Sequence, residues 1–495
     1  MFRTVRIPVV AIALVVALLA MQGGVEAKKK SSKRRSKTTV SRSLVLAAPT
    51  GANPAPTVTA QTVVPANNQA SGADAVLNTA GPARASVSNG GDMSVDTVGD
   101  TTSGEKKVKG RVTIGPLAPV GGSLIISEFR VRGPNGANDE FIEIYNATGA
   151  DHTVAGGGTG YAIAASNGVA RCVIPNGTVI PNRGHYLCVN SVGYSLASYP
   201  AGNGTTATGD ATYTTDIPDN AGIAIFNTSV AANFTLANRF DAVGSTSEAN
   251  TLYKEGTGYP ALTPFSIDYA FYRDNCGKSG SITTLGPCTI STPKDTDNNA
   301  ADFIFVDTNG TSAGAGQRLG APGPENLSSP IERNASFAAV LLDPCASSAA
   351  PPNRVRDFTS DPANNSTFGT LDIRRTFTNN TGGNVTRLRF RVIDLTTFPA
   401  PSGFADLRPR TSNAVVVTVD RVPCGSGTSN VTVQGTTLEQ PPSQPNGGGF
   451  NSSLSAGTIT LATPLANGAS IDIRFLLGIQ QTGNFKFYVN LEALP

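Results

Sequence analysis

The side chains that could do chemistry are few and poorly clustered. The chain has two histidines, His152 and His185. Both stand isolated, which favours a surface or packed imidazole over a metal ligand and argues against a multi-histidine centre. Glu140 and Glu143 resemble an acid–base pair. On a strand, residues three apart point to opposite faces, so Glu143 is expected to hydrogen-bond within a β-sandwich instead. Asp295, Asp297 and Asn299 alternate like the start of a calcium loop. Such a loop needs Gly at its sixth position and Glu at its twelfth, where this chain has Ala300 and Val306. They are a weak candidate for structural Ca²⁺, and no cofactor is expected.

Two motif matches dissolve on inspection. Gly310-Thr311-Ser312-Ala313-Gly314 fits G-x-S-x-G, but a nucleophile elbow needs a helix directly after it. The Gly- and Pro-rich sequence that follows offers none, and no His lies downstream. Gly277-Lys278-Ser279 ends like a P-loop, but Tyr272 stands where the first Gly must be.

Basic residues give two candidate binding surfaces. Lys28, Lys29, Lys30, Lys33, Arg34, Arg35, Lys37 and Arg42 place +8 in fifteen residues, while residues 43–495 carry about −6. Such runs are usually solvated interaction arms, able to hold anionic polymer, lipid headgroups or nucleic acid by charge. A solvated leader that aids export is the plainer reading. Arg387, Arg389 and Arg391 share one face of a strand and could also meet anionic polymer. A solvated sheet face whose charges block edge pairing is the plainer reading there.

The elements that must position these groups are strands. Charged residues make up 15% of the chain, against roughly 25% in an average domain, and no aromatic falls between Phe2 and Phe129. Residues 1–27, with Arg3 and Arg6 before the apolar run Ile7–Ala20 and small residues at Val25 and Ala27, read as a signal peptide. The chain is therefore expected in the secreted, extracellular or cell-envelope space, with no membrane span after cleavage. Residues 28–120, rich in Ala, Pro, Thr, Asn and Gly, read as a basic tail and disordered spacer. Beyond them, short apolar runs bounded by Gly, Asn or Pro predict an all-β chain: a sandwich over 121–326, a linker near Gly320–Pro330, and an immunoglobulin-like sandwich over 331–495. Leu388, Phe390 and Val392 alternate with the three arginines, and Ile142 and Ile144 lie opposite Phe141, Glu143 and Tyr145.

Four of the six cysteines fall in 121–326 and two in 331–495, so each adjacent pair shares one predicted domain, favouring Cys172–Cys188, Cys276–Cys288 and Cys345–Cys424 among fifteen pairings. No close C-x-x-C pair points to zinc. Fourteen N-x-S/T sequons, Asn146 and Asn365 among them, are what a chain rich in Asn, Ser and Thr yields by chance.

Ile125-Ile126-Ser127-Glu128-Phe129, Asp139-Glu140-Phe141-Ile142-Glu143-Ile144-Tyr145-Asn146, Val173-Ile174-Pro175, Pro181-Asn182-Arg183-Gly184, Asp295 to Phe303 and Pro322-Gly323-Pro324-Glu325-Asn326 together resemble the lamin-tail domain, in its secreted bacterial branch, over about 121–326. The resemblance implies an immunoglobulin-like fold and a binding or scaffolding module, not a reaction. The expected function is thus a secreted or cell-surface, non-enzymatic binding or scaffold protein. Its loops would meet anionic cell-surface polymer or another surface protein. The alternatives are an accessory module for nucleic acid or anionic polymer, and a hydrolase or nuclease with an unrecognised site.

Overall fold

The computed structural model describes residues 124–199, 206–261, 268–275, 293–308, 318–395, 405–439 and 448–495, together with the backbone of Val76–Leu77. The expected signal peptide, the basic tail, Cys276, Cys288, the Gly277–Ser279 stretch and the Gly310–Gly314 stretch lie outside them. What is described is all β, and its one α-helix, Asn299–Asp302, is a single turn. Among the described residues no helix is long and apolar enough to cross a membrane.

Two apolar cores organise the strands. The first lies between a seven-stranded and a four-stranded sheet. The larger sheet runs Arg318–Leu319, Phe303–Asp307, Tyr269–Arg273, Leu124–Arg130, Phe141–Asn146, His185–Asn190 and Ala211–Tyr213. The smaller runs Arg239–Val243, Ile223–Phe226, Gly160–Ala165 and Ala170–Pro175. The period-two alternation puts Ile126, Ile142 and Ile144 into this core with Phe129, Phe271 and Ile163. Cys172–Cys188 ties the facing sheets from within it.

The second core holds Leu388, Phe390, Val392, Phe377, Phe475 and Phe487. One sheet carries Phe487–Leu494, Arg387–Leu395, Ser453–Ser455 and Thr437–Glu439, and Ile331–Glu332 pairs with Phe487–Leu494. Val76–Leu77 pairs in parallel with Tyr488 and Val489 of that same strand. The opposing sheet is built on the long pair Thr370–Asn379 and Ser470–Gln481. Val415–Asp420 and Thr428–Val433 form a separate hairpin.

The expected linker is not a solvated tether. Residues 319–326 are buried. Gly320 N–H donates to Asp307 O at 2.8 Å and Ala321 N–H to Phe450 O at 3.0 Å. A Cβ at Gly323 would lie 2.2 Å from Arg391 Nη1, so any side chain there would displace that guanidinium. The strand face bearing Phe141, Leu187 and Val189 is buried too, in a cluster with Leu196, Tyr199, Ala207 and Phe450.

The Cys345–Cys424 bond spans 79 residues of sequence and links the segment after Phe337–Leu341 to the tip of the Val415–Val433 hairpin. That hairpin has only a small core, Leu342, Val419 and Val433. Loop closure of this length is worth on the order of 4–5 kcal/mol. Replacing both cysteines by serine should therefore lower the melting temperature by roughly 10 °C. Amide exchange should rise first across 415–433. Unchanged protection there would show that the hairpin holds itself.

Candidate functional site

A cluster of buried charged groups converges where the two cores meet. Leu124–Arg130 and Phe141–Asn146 pair in antiparallel register with an irregularity between Ile126 and Glu128. This bulge places Ser127 and Glu128 beside Glu143. His185 opposes Tyr145 on the next strand, diagonal to Glu143 on the same face. From the second core, Arg389 stands directly opposite Glu492. With Leu388, Phe390 and Val392 turned into that core, Arg389 and Arg391 must project outward, toward Glu128 and Glu143.

The segment 319–326 runs between these faces and joins them. Glu325 accepts from Arg389 through one carboxylate oxygen, which also accepts from Arg391 Nη2 at 2.9 Å. Arg389 Nε donates to Glu492 at 2.8 Å and Arg391 Nε at 3.1 Å. Arg391 Nη1 donates to Asn451 O at 3.0 Å and Gly323 O at 3.2 Å. Glu128 accepts from Gly323 N–H at 2.9 Å and from Asn451 Nδ2 at 2.8 Å. Glu143 accepts from Glu325 N–H at 2.6 Å and from the Ser127 hydroxyl. Arg389 has no exposed surface, and Arg391, Glu128, Glu143 and Glu325 are buried.

Burial dominates the titration of this cluster. It raises Glu128 to about 7, against hydrogen bonds from Gly323 and Asn451 and the charge of Arg391. It drives Glu143 well above the ordinary range, and the neighbouring Glu128 carboxylate adds to the effect. His185 is held well below its usual value by burial and then by Arg391 and Arg389, so its imidazole is neutral. Its Nε2 faces Glu325 at 3.4 Å and Glu143 at 3.7 Å. Glu143, His185 and Glu325 each present one ligand atom within 4.8 Å of the others. The cavity they border is about 50 Å³.

The arginine triad of the sequence is not an exposed basic face. Arg389 and Arg391 are consumed by Glu325 and Glu492 and cannot meet a polymer; Arg387 is only partly buried and donates to Thr386 O. Nor does Asp295-x-Asp297-x-Asn299 converge on an ion. Asn299 is buried and fully used: its Oδ1 accepts from Gly244 and Glu255 N–H, and its Nδ2 donates to Ala242 O at 2.8 Å. Asp295 accepts from Arg273 at 3.2 Å. Asp297 lies in a turn at φ 54°. Asp295 instead approaches Asp241 and Glu255, where the buried Arg273 already supplies a cation to Asp241. Glu140 and Glu143 share no partner, since Glu140 accepts from Asn190 Nδ2 and Ile217 N–H.

Glu128, His185, Glu325 and Glu492 do not stand out in sequence as a site. The one legible signal was charge complementarity on neighbouring strands, Arg389 and Arg391 against Glu492. No protein-family model matches the chain, and neither a curated protein nor a solved structure shows significant similarity to it.

Removing one member of a buried ion network leaves its partners desolvated and uncompensated, at a cost of roughly 3–5 kcal/mol. Arg389→Met should lower unfolding stability by that amount in urea titration. An unchanged midpoint would mean that the network contributes nothing net. Glu140 offers a pH test. It is fully buried, and burial raises its carboxyl to about 8 despite hydrogen bonds from Asn190 and Ile217. The unfolded group ionises near 4.5, so the folded state holds its proton between 4.5 and about 8. Stability from this residue is present below 4.5 and is lost as pH rises to 8, by about 1.4 kcal/mol per unit at most. Glu140→Gln should flatten the fall of the melting temperature between pH 5 and 8. A slope equal to the parent's would contradict the assignment.

Proposed function

We propose that the chain is a secreted, non-enzymatic scaffold protein in which two immunoglobulin-like sandwiches, the first lamin-tail-like, display loops and a groove for binding. The observation that carries this reading is the fate of the reactive side chains. Glu128, Glu143, Arg389 and Arg391 hold two sheet faces and the crossing segment together. A site for a small substrate needs about 300–1,000 Å³, and the cavity beside these carboxylates is about 50 Å³. That size favours a structural role over the hydrolase or nuclease alternative.

The disulfides Cys172–Cys188 and Cys345–Cys424 support an oxidising compartment. The lamin-tail reading is supported by the central, wholly buried position of Phe141–Asn146, the strand that carries the resemblance. A larger groove of about 480 Å³, lined by Val355, Arg356, Leu371, Leu407, Ile479 and Phe485, has the size to receive a partner. Attachment to anionic polymer falls to residues 28–42, where +8 is concentrated.

Vesicle co-sedimentation tests that division of labour. The mature chain should bind anionic vesicles at low salt and release them as salt rises, because exposed charges are screened over about 10 Å at 0.1 M. Deleting residues 28–42 should abolish the binding. Undiminished binding by the deletion variant would place attachment on the sandwiches.

A further inference from the structure

We propose that Glu143, His185 and Glu325 form a binding site for one divalent transition-metal ion of the zinc class, which clamps the crossing segment to the first sheet. The inference goes beyond the scaffold reading and stands on the geometry of the junction alone.

The donor set is one imidazole nitrogen and two carboxylate oxygens from three separate segments. Zinc takes such ligands at about 2.0–2.2 Å in tetrahedral array, which sets neighbouring donors about 3.4 Å apart. His185 Nε2 lies 3.4 Å from Glu325 Oε2 and 3.7 Å from Glu143 Oε1. All three donors lie within 4.8 Å of one another. The fit needs a contraction of a few tenths of an ångström on one edge and somewhat more on another.

An independent observation points to a ligand. His185 is only 8% exposed, and it borders the cavity together with both carboxylates. Its Nε2 is aimed between two carboxylates at separations longer than an ordinary N–H···O bond. Packing on Tyr145, with ring centroids 5.2 Å apart, holds the ring in that direction. A buried Nε2 directed between two carboxylates, at 3.4 and 3.7 Å, is placed to share an ion with them, while Nδ1, on the far side of the ring, plays no part in the site.

Charge and space agree. Glu128, Glu143, Glu325, Glu439 and Glu492 outnumber the two guanidinium groups among them, those of Arg389 and Arg391, so the junction carries an excess of carboxylates for a cation to meet. The cavity of about 50 Å³ takes an ion and a water as fourth ligand, since a water needs roughly 10–15 Å³ of such space. Calcium, which takes 6–8 oxygens, fits this small mixed set poorly.

The experiment uses the tag-free mature chain, stripped with chelator and titrated with Zn²⁺ by calorimetry and with Co²⁺ by visible absorption. The expected result is one bound equivalent and a melting temperature that rises with Zn²⁺ and falls back on chelation. His185→Gln should weaken binding about tenfold or more, while His152→Gln, at the only other histidine, leaves it unchanged. No saturable binding, or equal binding by His185→Gln, overturns the proposal. Should His185→Gln fail to fold, zinc X-ray absorption on the parent chain decides: an imidazole shell with oxygens supports the site, and its absence overturns it.

Discussion

Arg389 is the constraint on which the rest of the junction depends. Its guanidinium has no exposed surface and so has lost the whole of its hydration. Such a charge is tolerated only where counter-charges and hydrogen bonds replace the water. Glu492, across the strand pair, supplies one partner. Glu325 supplies another, and it reaches Arg389 only if residues 319–326 run through the junction instead of around it. Along that route Gly323 N–H meets Glu128, Glu325 N–H meets Glu143, and a side chain at position 323 would push Arg391 from its place. The apolar cluster of Phe141, Leu187, Val189, Leu196, Tyr199 and Phe450 excludes solvent beside these bonds and so strengthens them.

The strands were legible because alternation is local. Phe141 to Tyr145, and Leu388 to Val392 with their intervening arginines, sort to two faces as period two requires. The Cys172–Cys188 and Cys345–Cys424 pairs were legible because each pair lies within one run of strands. What covers a second face is a tertiary fact. Arg-x-Arg-x-Arg on a solvated sheet and on a buried junction are the same string, and the difference lies in Glu325, far back along the chain. Proline and glycine in 320–330 read as linker chemistry, yet here they serve close passage between sheets. His185 was isolated in sequence and is not isolated in space, since its neighbours come from Phe141–Asn146 and the crossing segment. Asn299 looked like a ligand because Asn and Asp serve both ions and turns. Its amide is instead saturated by three backbone groups.

A junction built from charges specifies what apolar packing alone leaves loose. A slip of one residue along Arg387–Leu395 would turn Leu388 and Phe390 toward Glu325 and Glu492 and push Arg389 into the second core. Both results bury unpaired charge, so the register is held from the two sides of the sheet at once. The same logic holds the two cores to each other. Sliding one sheet face over the other would leave Phe450 in apolar contact somewhere, but it would strand two guanidinium groups among carbonyls and carboxylates spaced for a different position. Directional bonds from Arg391 to Gly323 O, Asn451 O and Glu492 admit one arrangement. The buried arginines fix that arrangement where a hydrophobic seam of the same area would permit sliding.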